Sequence, residues 1–125
     1  EMKSKTALAA EAFAMEHVKY LCGGKISYVK ITEADKARGG FEDEDTYDVI
    51  NVIRRAEGVK VALLARERTP GVFKISTRST GDIDMARICA MFGGGGHVGA
   101  AGCSVPADEV DGAIEKIIKE CGFEK

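Results

Sequence analysis

An α/β fold, one small domain with a mixed β-sheet flanked by helices, is what this sequence predicts. Three observations carry that prediction. Segments with apolar residues at helical spacing alternate along most of the chain with segments rich in β-branched residues. Glycines stop three of the helical stretches, at Gly23-Gly24, Gly58 and Gly93. Thr69-Pro70-Gly71 carries the proline–glycine pair of a type II turn between two strand-like runs, so a hairpin is expected there.

The elements follow in order. Leu8, Ala12, Met15, Val18 and Cys22 recur at helical spacing, so a first helix is expected over 5–22 with Ser4 as its cap. Lys25 to Ile31 reads as a strand. Thr32 to Asp45 is polar and glycine-bearing and reads as a loop. A second helix is expected over 46–56. Val59 to Arg66 and Val72 to Ser79 form the two arms of the hairpin. Met85, Ile88, Cys89 and Phe92 mark a third helix, capped by Asp82 or Asp84. Ala101 to Val105 is a last short strand, and Val110, Ile114, Ile117 and Cys121 mark a C-terminal helix.

Composition excludes more than it assigns. The 125 residues, 45% of them hydrophobic, suit one domain, and a net charge of −2 excludes a broadly basic nucleic-acid coat. No apolar run is long enough to span a membrane. The chain opens on Glu1 with no signal-like segment, which suggests a piece cut from a longer cytoplasmic protein. Cys22, Cys89, Cys103 and Cys121 show no C-x-x-C spacing and read as reduced core thiols.

The most informative stretch is GGGGHVGAAG, residues 93–102. Each glycine loses more backbone freedom on folding than any other residue and adds no side chain to a core. Such a run persists where the backbone needs φ > 0 or where something approaches closer than a Cβ allows, and turned glycine N–H groups suit an anion. His97 supplies the one titratable side chain of this loop.

The charge is locally lopsided. Residues 54–78 hold Arg54, Arg55, Lys60, Arg66, Arg68, Lys74 and Arg78 against Glu57 and Glu67. On the second hairpin strand, the two-residue period sends Phe73, Ile75 and Thr77 to one face and Lys74, Ser76 and Arg78 to the other. The latter face reads either as solvated surface or as a phosphate-binding surface that leads into the glycine loop. The acidic run Glu42 to Asp45 reads as a solvated helix entry. His17 reads as a partly buried structural histidine near Phe13 and Leu21. With two histidines in the chain, no histidine-rich metal centre can be assembled.

Together, the strand Lys74-Ile75-Ser76-Thr77-Arg78-Ser79, the helix opening at Asp82-Ile83-Asp84, and the loop with His97, Ala100, Ala101 and Gly102 resemble one known arrangement. It is the C-terminal DHH-associated domain of the DHH phosphoesterases. That group holds bacterial oligoribonucleases (nano-RNases), 3′-phosphoadenosine 5′-phosphate phosphatases and cyclic-dinucleotide phosphodiesterases. The resemblance implies a hydrolase in two parts. A larger N-terminal domain would hold two divalent metals, manganese being typical, and perform hydrolysis. This chain, residues 1–125, would be the substrate-binding domain and contain no cofactor of its own.

Carried over by position, Gly94, Gly95, Gly96, His97 and Arg78 match the family's substrate contacts, with Asn51 and Arg54 as softer additions and Lys74 and Ser76 beside them. His97 is further expected to contact the transition state. No Asp-His-His triplet exists in this chain, so the chain by itself is expected to be inactive. The expected partners are a nucleotide or short single-stranded RNA, the N-terminal catalytic domain and, as an open option, a second copy. An RNA-binding or dimerisation module like the C-terminal domain of alanyl-tRNA synthetases is the alternative. A purely structural glycine loop, serving tight helix–strand packing, is a third.

Overall fold

The computed structural model describes residues 2–123. The order of elements is α1 (Lys5–His17), β1 (Lys19–Leu21), β2 (Ile26–Ile31), α2 (Glu33–Gly39), a 3-10 turn (Asp43–Thr46) and α3 (Val49–Ile53). Then come β3 (Val61–Thr69), β4 (Val72–Ser79), α4 (Met85–Ala90), β5 (Gly95–His97), β6 (Ala100–Pro106), a 3-10 turn (Ala107–Glu109) and α5 (Val110–Cys121). One mixed sheet runs β1-β2-β3-β4-β6-β5. Only the β2–β3 pair is parallel, and α2 and α3 lie in the crossover between those strands. The expected α/β architecture is the one observed.

Two cores flank the sheet. α4 and α5 bury Met85, Ile88, Cys89, Val110, Ile114 and Ile117 against one face, on Leu63, Ile75 and Cys103. On the other face α1 and α3 bury Ala10, Ala14, Val49, Ile50 and Ile53 against Val29, Ile31, Ala62 and Leu64. This second core draws on β2 and β3 and on no residue of β4, β5 or β6. Half of one sheet face is therefore left without a helix layer. The four cysteines are free thiols, three of them buried. Burial pushes Cys121 up to about 11.

The β3–β4 hairpin turns where expected. Thr69 pairs with Val72 across Pro70-Gly71, and Gly71 takes φ +85, which a type II turn demands at that position. A bulge between Glu67 and Thr69 accompanies it. Ser4 caps α1 by accepting from the Ala7 N–H at 3.0 Å, and Asp84 rather than Asp82 caps α4, accepting from the Arg87 N–H at 3.1 Å.

Several expectations are corrected. α1 stops at His17, because Val18 turns extended and Lys19 to Leu21 gain ladder partners in Tyr28 to Ile26. The helical spacing through Cys22 ran on into a strand. The buried face of α1 is Ala10 and Ala14, whereas Leu8 and Met15 are 53% and 62% exposed; small residues let the helix sit close to the sheet. His17 is exposed, with its ring stacked on Phe13 at 4.1 Å. The 32–45 stretch is not a loop throughout: a capping box between Thr32 and Asp35 starts α2. The helix expected over 46–56 shrinks to Val49–Ile53.

The acidic run is not simply a solvated entry. The carboxylate of Asp43 accepts from Arg66 at 2.6 Å and from Lys36 at 3.1 Å, and both cations are buried. Burial by itself would raise the Asp43 carboxyl, but the hydrogen bonds from Arg66 and Lys36 outweigh it and hold it below the usual carboxylate range. Asp45 accepts from the Thr6 hydroxyl at 3.0 Å and so ties the run to α1.

Candidate functional site

The uncovered half-face is built from alternation and register. Phe73, Ile75 and Thr77 are buried toward α4 and α5, so Lys74, Ser76 and Arg78 project to the open side. In antiparallel pairs, residues directly opposite share a face. Arg78 lies opposite Ala100, and Ala100 opposite His97; Ser76 lies opposite Gly102, and Gly102 opposite Gly95; Lys74 lies opposite Ser104. Arg78 and His97 thus stand two strands apart, about 10 Å between backbones. Between them Ala100 and Gly102 form the floor of a shallow trough. A Cβ on Gly102 would meet Lys74 Nζ at 3.0 Å, so the Lys74 side chain lies across that floor.

The glycine run is a helix-closing turn followed by a strand rather than an open anion loop. The Gly93 and Gly94 N–H groups donate to Ala90 and Cys89 carbonyls at 3.1 and 3.0 Å and close α4. A Cβ on Gly94 would fall 2.1 Å from the Gly102 carbonyl oxygen, and one on Gly96 2.6 Å from that of Ala100. The group that approaches these two glycines is therefore the chain's own strand β6, a strand–strand contact rather than the helix–strand packing of the third alternative. Gly95 differs: nothing lies within 4 Å of the Cβ it lacks. Gly93 is equally open but takes φ +78 in the turn that closes α4, so Gly95 is the open position of the run that lies within β5.

The turn Val98-Gly99 after His97 is clamped from two sides. The Met85 N–H donates to the Val98 carbonyl and the Ser79 N–H to the Gly99 carbonyl, each at 2.9 Å. The His97 side chain is exposed and makes no hydrogen bond among the described residues, while its backbone pairs with Ala100 in the ladder. Arg78 donates from Nη1 to the Thr77 carbonyl at 2.8 Å, which fixes one edge of the guanidinium and leaves its other donors available.

Ion pairing sorts the basic cluster in two. Arg66 and Arg68 reach Asp43 at 2.6 and 3.7 Å. Arg54, Lys60, Lys74 and Arg78 make no ion pair among the described residues. Arg54, at the C-terminal end of α3, lines a small cleft with Arg78. Asn51, one turn earlier, donates its amide to Asp48 at 2.8 Å and does not line that cleft. Lys60 and Ser104 also border the site and were missed as site residues. Period-two extension of the β3 and β6 patterns beyond Ala62 and Gly102 would have found them.

A larger cavity, of about 580 Å³, opens elsewhere, between the β1–β2 pair and α5, with Tyr28, Lys30 and Asp111 in its wall. Among the described residues no cluster of three or more His, Cys, Asp or Glu side chains converges as a metal site. No helix among them is long and apolar enough to cross a membrane.

A family model described as the DHHA1 domain matches residues 14–122. The chain belongs to that family. This DHHA1 domain is 39% identical over 77 residues to a bifunctional oligoribonuclease and PAP phosphatase of Thermus thermophilus. That match covers 62% of the chain and 24% of the relative, so the relative is much longer.

Among solved structures, an exopolyphosphatase-related protein from Bacteroides fragilis superposes with TM-score 0.83 at 21% identity, over 97% of this domain and 35% of that chain. A pGpG-specific phosphodiesterase from Vibrio cholerae gives 0.69 at 11%, over 97% and 40%. The C-Ala domain of Aquifex aeolicus alanyl-tRNA synthetase gives 0.57 at 15%, over 77% and 88%. These structural likenesses establish the fold.

Proposed function

We propose that this DHHA1 domain is the substrate-gripping half of a phosphoesterase acting on nucleotides or short oligoribonucleotides. The observation that carries the reading is the uncovered half-face, on which Lys74, Ser76, Arg78 and His97 surround a trough floored by Ala100 and Gly102, with no carboxylate paired to its cations among the described residues. An unpaired guanidinium half-withdrawn from water suits a phosphate, which it can hold with two parallel hydrogen bonds. The open Gly95 backbone lets a substrate approach β5 closely. His97 stands across the trough from Arg78, and in this reading it donates to phosphate oxygens as they gain charge.

The divalent metals of the family reading, manganese among them, find no ligand set here. His17 and His97 lie at opposite edges of the sheet, and Asp43 is engaged by Arg66 and Lys36. The metals belong in this proposal to a DHH partner domain, and no step in this chain runs through them.

The test uses this chain directly. Calorimetry with a nucleoside 5′-monophosphate should show binding, abolished by Arg78→Ala. Incubation with manganese and short oligoribonucleotides should release no mononucleotide. Turnover proportional to chain concentration after repurification would overturn the division of labour. Tight binding of folded tRNA with none of mononucleotides would favour the RNA-module reading, for which the C-Ala likeness is the supporting observation.

A further inference from the structure

A second concave place in the fold lies far from the trough, at the other end of the sheet and on its other face. α4 and α5 pack over β2, β3, β4 and β6, and of the edge strand β1 only Leu21 packs on that core. The cavity of about 580 Å³ occupies the gap between α5 and this overhanging edge. Register builds one wall: Lys19 lies opposite Tyr28 and Leu21 opposite Ile26, so Lys19, Leu21 and Tyr28 share the face toward α5. On α5, Asp111, Ile114, Glu115 and Ile118 recur at helical spacing and form the other wall.

Charge decides what fits. Lys30 and Asp111 neutralise each other across the cavity at 2.9 Å. Lys19 on the strand wall and Glu115 on the helix wall are in no ion pair among the described residues, with each other or with any other group. A phosphate or other anion would meet the carboxylates of Asp111 and Glu115, and an organic cation would meet Lys19. A wholly apolar ligand would strip water from both free charges and give neither a partner. A neutral molecule with a positive end, a negative end and an apolar body satisfies all three constraints, with Leu21, Ile114 and Ile118 to take the body.

The wall is also unfinished. The Tyr28 hydroxyl is buried and has no hydrogen-bond partner among the described residues. Burial and the Asp111 carboxylate push its ionisation up to about 12, so it stays a neutral donor. An unmet buried donor calls for a water or a ligand group. The volume falls within the range of about 300–1,000 Å³ typical of ligand pockets. Two extended residues span about 7 Å, which lets their charged ends reach separate walls.

We infer that this cavity is a site for a short zwitterionic peptide with apolar side chains, its ammonium on Glu115 and its carboxylate on Lys19. It shares no residue with the trough and stands whether or not the trough takes a nucleotide.

The probes are dileucine, N-acetyl-dileucine and dileucine amide, titrated into this chain while backbone amide shifts are followed by NMR. Dileucine should shift Lys19 to Leu21, Tyr28 and the first turns of α5, and leave β4 and β5 unmoved. Each cap removes one charge and should weaken binding about fivefold, the scale of an exposed ion contact. Lys19→Gln should weaken dileucine by the same factor and abolish the penalty for the amide; Glu115→Gln should abolish the penalty for the acetyl cap. Absence of shifts at millimolar dileucine, shifts away from the cavity, or equal affinity for capped and uncapped peptide overturns the site. A cap penalty that persists in its matching variant overturns the assignment of that end. Both substituted positions are exposed, and the cap series on the unsubstituted chain decides the matter if either variant fails to fold.

Discussion

Arg78 and Lys74 are cations of one strand on one face, yet only Arg78 can fork. Its guanidinium is braced on the Thr77 carbonyl, whereas the Lys74 ammonium rests over Gly102. Arg78→Lys keeps the charge and loses the planar pair of donors. It should weaken nucleotide binding by about 1–3 kcal/mol, read by calorimetry, with the fold unchanged by circular dichroism. Full affinity in the lysine variant would reduce Arg78 to a general electrostatic contributor.

Asp43 is the residue on which stability is predicted to turn. Replacing it by asparagine leaves Arg66 and Lys36 short of a charge partner in a buried setting, at a cost of about 3 kcal/mol by chemical denaturation. The pH dependence follows from its lowered carboxyl. The folded form binds a proton less readily than the unfolded chain, so the contribution is complete above the unfolded carboxylate pKa of about 4. It is lost as pH falls through the lower folded value. Between pH 7 and 3 the parent chain should lose more stability than Asp43→Asn; parallel profiles would refute the assignment.

At the scale of elements, the two middle glycines of the run separate packing from binding. Gly94→Ala drives a Cβ into the β6 backbone and should destabilise the chain by about 1–3 kcal/mol. Gly95→Ala meets open space and needs no positive φ, so its melting temperature should hold while nucleotide binding falls. If Gly95→Ala binds normally, the substrate does not approach that backbone.

The same contrast shows what could be read from the sequence. The alternation of β4 and the Pro70-Gly71 turn were legible because strand period and turn chemistry are local. The β5–β6 pairing was not, because four glycines carry no side-chain pattern to announce a strand. Thr32 and Asp35 did announce α2, but the intervening polar composition hid it. On α1 the spacing was read correctly as helical and assigned to the wrong face, since alanines bury as well as leucines where two backbones lie close. Of the site, the Lys74–Ser76–Arg78 face was visible, while its junction with His97 depends on register between segments some twenty residues apart, which no local pattern encodes.

For the whole molecule, the sheet divides the labour. α4 and α5 cover β2, β3, β4 and β6 on one face, and α1 and α3 cover only the β2–β3 half of the other. The remaining half is polar and stays open without exposing a large apolar surface. A DHH partner domain of the kind proposed above would find there a surface already shaped, with no rearrangement of either core required.

The order of strands has a last consequence. β4 sits in the interior of the sheet, with a neighbour on each side, whereas β5 is three residues long and ends the sheet with one neighbour. The two banks of the trough therefore differ in compliance. Amide protons of β4 should exchange with solvent only on global unfolding, while those of Gly95 to His97 exchange through local opening, orders of magnitude sooner. The arginine bank is the fixed jaw and the histidine bank the yielding one, so that ligand should slow exchange in β5 far more than in β4.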